Sequence, residues 1–94
     1  MGVYLFVHYR GSAEAIRDGY ARTADQLTAT PGLLGTELLC DPADRHTWTL
    51  LMRWTDIDSF HSWEHRLRAQ GHPSHLRSYQ DRARPGGHYE VFAT

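Results

Sequence analysis

Four of the chain's seven histidines, His61, His65, His72 and His75, fall between positions 61 and 75. Imidazole is the side chain whose unperturbed pKa of ~6.5 suits proton transfer near neutral pH, so this crowding offers a general base or a haem ligand. The bland alternative is a set of surface histidines in a chain that contains no lysine and no asparagine. Within the cluster, His61-Ser62-Trp63-Glu64-His65 fits the H-x-x-E-H pattern of inverted zinc proteases. Such proteases need a third ligand and a cleft that a short chain can scarcely supply, and Trp63 is expected to point into a core between two histidines on a solvated flank. No metal is expected.

Aromatic residues are the second candidate chemistry. Trp48, Trp54, Trp63, Tyr9 and Tyr79 are enough to line a cavity for a flat aromatic ligand, although core packing alone accounts for at least half of them. Arg77, Arg82 and Arg84 form a loose basic cluster with Asp81 and Glu90 in reach as partners. Cys40 has neither a second cysteine nor a lysine beside it, so nothing marks it as a nucleophile. Without lysine there is no side-chain Schiff base and no P-loop lysine, and without asparagine no oxyanion donor of that kind. No Ser nucleophile elbow, Gly-rich phosphate loop or EF-hand occurs, which leaves hydrolase, kinase and dinucleotide-binding chemistry unsupported.

The elements that must position these residues follow from periodicity. Residues 3–10, β-branched and aromatic up to Gly11, read as a strand. Ser12 is a plausible N-cap for a helix whose stripe is Ile16, Tyr20, Ala24 and Leu27. Pro31-Gly32 breaks it. Leu33 to Cys40 and His46 to Trp54 then form a hairpin around Asp41-Pro42-Ala43-Asp44, with Trp48, Leu50, Met52 and Trp54 on one face of its second strand. Thr55 and Asp58 resemble a capping box that opens a second helix with the stripe Phe60, Trp63 and Leu67. Gly71-His72-Pro73 ends this helix, Ser74 to Ala83 adds a short helical turn, and His88 to Ala93 is the last strand.

The order βαββαβ predicts an α+β, ferredoxin-like domain over residues 1–94: a four-stranded antiparallel sheet with both helices on one face. In the first strand Val3, Leu5, Val7 and Tyr9 alternate with Tyr4, Phe6, His8 and Arg10, so both faces carry large apolar groups. A chain of 94 residues, 40% apolar, buries only a little over ~60% of its unfolded surface, and its single core is marginal unless a disulfide, metal, ligand or partner adds to it. One cysteine excludes an intrachain bridge. The uncovered sheet face instead points to a second copy, and a homodimer packed sheet to sheet is expected. A net charge of −1 gives no footprint for nucleic acid or a membrane surface. No apolar run approaches the roughly 20 residues of a membrane span, and the start lacks a signal-peptide pattern, so a cytoplasmic location is expected.

The segment Pro31-Gly32-Leu33-Leu34-Gly35-Thr36-Glu37-Leu38-Leu39, with Leu51-Met52-Arg53-Trp54 and Asp56-Ile57-Asp58-Ser59-Phe60-His61-Ser62-Trp63, resembles the antibiotic biosynthesis monooxygenase family. The shared pattern is a PG-x-x-G turn into the second strand, a Trp closing the third and an F-x-x-W pair on the second helix, over roughly residues 3–93. The resemblance implies a dimeric α/β barrel, two protomers joined through their sheets, each with a pocket between sheet and helices. Its oxygenase members oxidise anthrone-like or naphthacenone-like polyketides to quinones with O₂, using no flavin, metal or haem. On that footing Tyr9 and Tyr79 hydrogen-bond substrate oxygens, Trp54 and Trp63 form apolar walls, His75 is the base with His65 behind it, and Arg77 stabilises a developing anion.

Haem-degrading members of the same family use an Asn on the first strand, a Trp on the second helix and a His after it. Trp63 matches that Trp, but Tyr9 stands at the strand position, and His72 and His75 share the ambiguous histidine offset. The resemblance therefore implies cofactor-free oxidation of a small aromatic substrate ahead of haem degradation. The remaining alternative is a small-ligand-binding accessory dimer without catalysis.

Overall fold

A computed structural model describes residues 2–71 and 75–94. His72, the haem-ligand candidate, lies outside them, as do Pro73 of the expected helix end and Ser74, the expected start of the short helical turn. Six principal elements run in the order β1 (Val3–Arg10), α1 (Ala13–Leu27), β2 (Leu33–Asp41), β3 (Asp44–Trp54), α2 (Ile57–Gln70) and β4 (Gly87–Glu90), with a 3-10 turn at Arg77–Tyr79 before β4. The strands form one antiparallel sheet in the order β2-β3-β1-β4, the ferredoxin-like arrangement that the βαββαβ pattern predicts. The sheet is open, with β2 and β4 as its edges. Among the described residues no helix is long and apolar enough to cross a membrane.

Local chemistry fixes the element ends. Ser12 caps α1, its hydroxyl accepting from the Ala15 amide at 3.2 Å. At α2 the cap falls one residue later than the Thr55–Asp58 box predicts. The Thr55 amide donates to Gly32 O at 2.8 Å and so stays with the turn before β2, while the Asp56 carboxylate accepts from the Ser59 amide at 2.7 Å. Gly71, left-handed at φ 65°, closes α2. β4 is shorter than the expected His88–Ala93 because it pairs only along Val3–Phe6 of β1. One further bond, from the Val91 amide to Gly2 O at 2.7 Å, extends that pairing, and Phe92 is 94% exposed.

Strand parity divides the sheet as its period of two requires. Val3, Leu5, Val7 and Tyr9 of β1 stand opposite Trp54, Met52, Leu50 and Trp48 of β3, in that order. This face meets the helices, and its most buried members are Val3, Met52 and Trp54, joined by Ile16, Phe60 and Leu76. The opposite face carries Tyr4, Phe6, His8 and Arg10 beside Arg53, Leu51, Thr49 and Thr47. No helix covers it. Phe6 meets Tyr89 edge-on at 6.1 Å, His8 Nδ1 and Thr49 Oγ1 are 2.8 Å apart, and Arg10 donates to Thr47 Oγ1 at 3.2 Å.

Candidate functional site

Between the helices and the sheet lies a cleft of about 720 Å³. Its floor is the helix-side row of the two central strands, Leu5, Val7 and Tyr9 with Leu50 and Met52. α1 supplies Thr23, Gln26 and Leu27, followed by Thr30. α2 supplies its stripe, Phe60, Trp63 and Leu67, together with Glu64, Arg66, Arg68 and Gln70. Gln80 completes the lining, held there by a backbone bridge to Tyr9. Elsewhere the layers close up: a Cβ on Gly19 of α1 would sit 2.6 Å from the fully buried Leu76. Glycine at 19 thus lets Leu76 pack tightly against α1, while the bulkier Thr23 and Leu27 further along the helix border open space.

Tyr9 is 4% exposed, and burial pushes its phenol up to about 12. Desolvation disfavours the phenolate, so the hydroxyl stays protonated and remains a donor through the neutral range. No hydrogen-bond partner occupies that hydroxyl among the described residues, in contrast with Trp48 beside it, whose Nε1 donates to Gly11 O at 3.0 Å. Trp63 is propped from behind by the fully buried Trp54, ring centroids 5.3 Å apart, and Phe60 lies 6.0 Å from Trp54. The three rings form one aromatic wall. At its margin Glu64 and Arg68 approach to 3.7 Å, one helical turn apart.

Of the residues singled out from sequence, Tyr9 and Trp63 meet in the cleft, and Trp54 stands behind Trp63 without reaching it. Tyr79 is half-buried against the core, its ring beside Gly11, and does not line the cleft. His75 and Arg77 are exposed beyond α2, and His65 is exposed on α2 itself; none of the three borders the cleft. His61 packs near Phe60 and His88, with centroids 5.4 and 6.0 Å away, so two of the histidines form part of a ring cluster at the sheet edge. Arg84 pairs with Asp81 at 2.9 Å. Among the described residues no three of His, Cys, Asp and Glu are grouped to hold a metal ion.

Sequence reasoning passed over Leu5, Val7, Leu50 and Met52 as site residues, although their shared parity with Tyr9 was the available signal. It also passed over Glu64 and Leu67, which adjoin Trp63 at one and four residues along α2. Thr23 shares the phase of the α1 stripe, seven residues after Ile16 and four before Leu27, but as a polar residue it drew no notice, and for Gln80 no periodic signal existed.

Solved structures with this architecture include SnoaB, a cofactor-independent oxygenase from Streptomyces nogalater, at 21% identity and TM-score 0.79, covering 99% of this chain and 95% of that one. They also include the haem degrader MhuD from Mycobacterium tuberculosis, with two haems bound in its active site, at 19% identity and TM-score 0.68, covering 100% and 98%. A conserved protein from Methanosarcina mazei Go1 is similar at 12% identity and TM-score 0.67, covering 95% and 91%. At these identities the likeness is one of fold. No curated protein sequence matches significantly. The family model for antibiotic biosynthesis monooxygenase, however, matches residues 4–82, which takes in five of the six elements and all of the described cleft lining, and the chain belongs to that family.

Proposed function

We propose that the protein is a cofactor-independent monooxygenase that oxidises a flat, polycyclic aromatic intermediate of the polyketide kind with O₂, working as a cytoplasmic homodimer. The observation that carries this reading is the cleft: about 720 Å³, with an aliphatic floor, an aromatic wall and one neutral phenol. That volume falls in the range of small-molecule pockets, and the lining suits a planar hydrophobic guest. Membership of the oxygenase family supplies the direction of the chemistry.

In the proposed reaction an enolic or phenolic substrate loses a proton and becomes an electron-rich anion. One electron passes from it to O₂, and the substrate radical and superoxide recombine to form a C–O bond. The protonated peroxide then loses water: one oxygen atom remains as the new carbonyl, the other leaves, and the substrate carbon has supplied the electrons. Tyr9 donates to the substrate oxygen that bears the anionic charge, where a fixed donor in a dry site is most effective. Leu5, Val7, Phe60 and Trp63 exclude water from the radical pair. The candidate base is His75, exposed and outside the described lining.

Incubation of the purified protein with anthrone under air, following quinone absorbance and O₂ uptake, tests this. The expected result is one quinone per O₂, with Tyr9→Phe and Trp63→Leu lowering kcat/KM by about tenfold or more. Absence of both binding and turnover for anthrone-type compounds would overturn it. Unchanged turnover in His75→Ala would remove that residue as the base.

A second reading, haem binding, is favoured by the place of Trp63 in the cleft. Among the described lining residues there is no histidine or cysteine to ligate iron, and a phenol pushed up to about 12 is a poor anionic ligand. Titration with hemin decides it: a Soret shift that is lost in His72→Ala or His75→Ala supports haem, and no shift at micromolar protein removes it.

A further inference from the structure

Among the described residues, the mouth of the cleft carries charge on one side only. From α1 and the residues after it come Thr23, Gln26 and Thr30, none of them ionisable; the charged lining residues all belong to α2. At about 100° per residue, Glu64 and Arg68 flank the stripe of Phe60, Trp63 and Leu67 on one side, and Arg66 flanks it on the other. Glu64 and Arg68 neutralise each other across 3.7 Å. Arg66 is exposed, and no ion pair engages it among the described residues. The floor, by contrast, is aliphatic apart from the uncharged Tyr9 phenol, and a carboxylate buried there would lose its hydration without a counter-charge.

We infer that Arg66 reads a carboxylate at the outer end of the substrate, so that the cleft takes aromatic acids, acid group at the mouth and reacting ring against Tyr9. The planar guanidinium offers a fork of donors that matches a carboxylate in two parallel hydrogen bonds, and it sits where that group must remain hydrated. Such a contact orients the ring as well as attracting it: a flat guest in an apolar slot can otherwise enter in several ways, and only one presents the reacting carbon to Tyr9. This inference rests on the aromatic-pocket reading above.

The test is calorimetric binding of two probes of equal size, anthraquinone-2-carboxylate and anthraquinone-2-carboxamide, to the full chain. Wild-type protein is expected to prefer the acid by about fivefold at low salt, with the preference shrinking at high salt. Arg66→Gln, an exposed change that removes the charge and keeps a polar, helix-compatible side chain, should abolish the preference, chiefly by weakening binding of the acid. Arg66→Lys should retain part of it. Equal affinities in wild type, or a preference that survives in Arg66→Gln, would overturn the inference and leave the aromatic pocket standing. Binding of neither probe would overturn both.

Discussion

Trp63, which borders the cleft, rests on Trp54, which does not reach it, their ring centroids 5.3 Å apart at an interplanar angle of 41°. The wall of the site is therefore only as firm as a core residue behind it. Trp54→Ala should cost about 3–5 kcal/mol, the usual range for emptying a fully buried indole. Trp63→Leu, at a half-buried position, should cost about 1 kcal/mol yet weaken binding of an aromatic probe more than any equally mild core change. Thermal melts and probe titrations on the same samples separate the two effects. Equal stability losses in the two variants would show that Trp54 is not the support.

Tyr9 carries a pH signature. Its phenol is raised from 10.0 to about 12 by burial, so the fold favours the protonated form. The corresponding stability is complete below the unfolded value near 10 and is lost as pH rises through about 12. A shift of this size corresponds to roughly 3 kcal/mol at most. Tyr9→Phe should flatten the alkaline limb of the stability curve between those values. An unchanged limb, followed by denaturant unfolding across that range, would mean that the phenol ionises freely.

At the acid end the controlling groups are Asp44, Asp56 and Asp81, all held below the ordinary carboxylate value. Hydrogen bonds from the His46 amide and the Ser59 amide lead for the first two, and a bond from the Arg84 guanidinium leads for the third. Lowered carboxyls stabilise above the unfolded value near 3.8 and lose that contribution as pH falls through their folded values. Asp56→Asn keeps a side-chain oxygen for the cap and removes only the titration. Its melting temperature should match wild type more closely at pH 3 than at pH 7. A constant gap between the two would contradict the assignment.

The uncovered sheet face makes the dimer testable. Phe6, Leu51 and Tyr89 occupy it beside the hydrogen-bonded His8–Thr49 and Arg10–Thr47 pairs. Light scattering should report the mass of two chains, and Leu51→Glu, which sets a carboxylate in the middle of the face, should yield single chains. A wild-type monomer at tens of micromolar would end the proposal.

The alternation Val3, Leu5, Val7, Tyr9 announced both β1 and its helix-side row, because a strand's period of two leaves no freedom once one buried residue is known. Trp63 was equally legible from the Phe60–Leu67 stripe. His65, His75 and Arg77 were chosen for chemical type instead of phase, and phase decides position. His65 lies two residues past Trp63, about 200° around α2, and so faces away. His75 and Arg77 follow the helix, where no period constrains them. The cleft itself depends on how far α1 stands off the sheet. A contact between Gly19 and Leu76, 57 positions apart in sequence, fixes that distance, and no local pattern encodes it.

The strand order β2-β3-β1-β4 also governs when the site comes into being. The β2–β3 hairpin closes through a short local turn and can form in microseconds, whereas β1 must pair with β3 across 37 to 51 positions and with β4 across more than 80. Leu5, Val7 and Tyr9 travel with that late strand. The floor of the cleft, which needs β1 beside Leu50 and Met52 of β3, is therefore expected to be complete only once β1 docks, and recovery of probe binding during refolding should coincide with the global phase instead of preceding it.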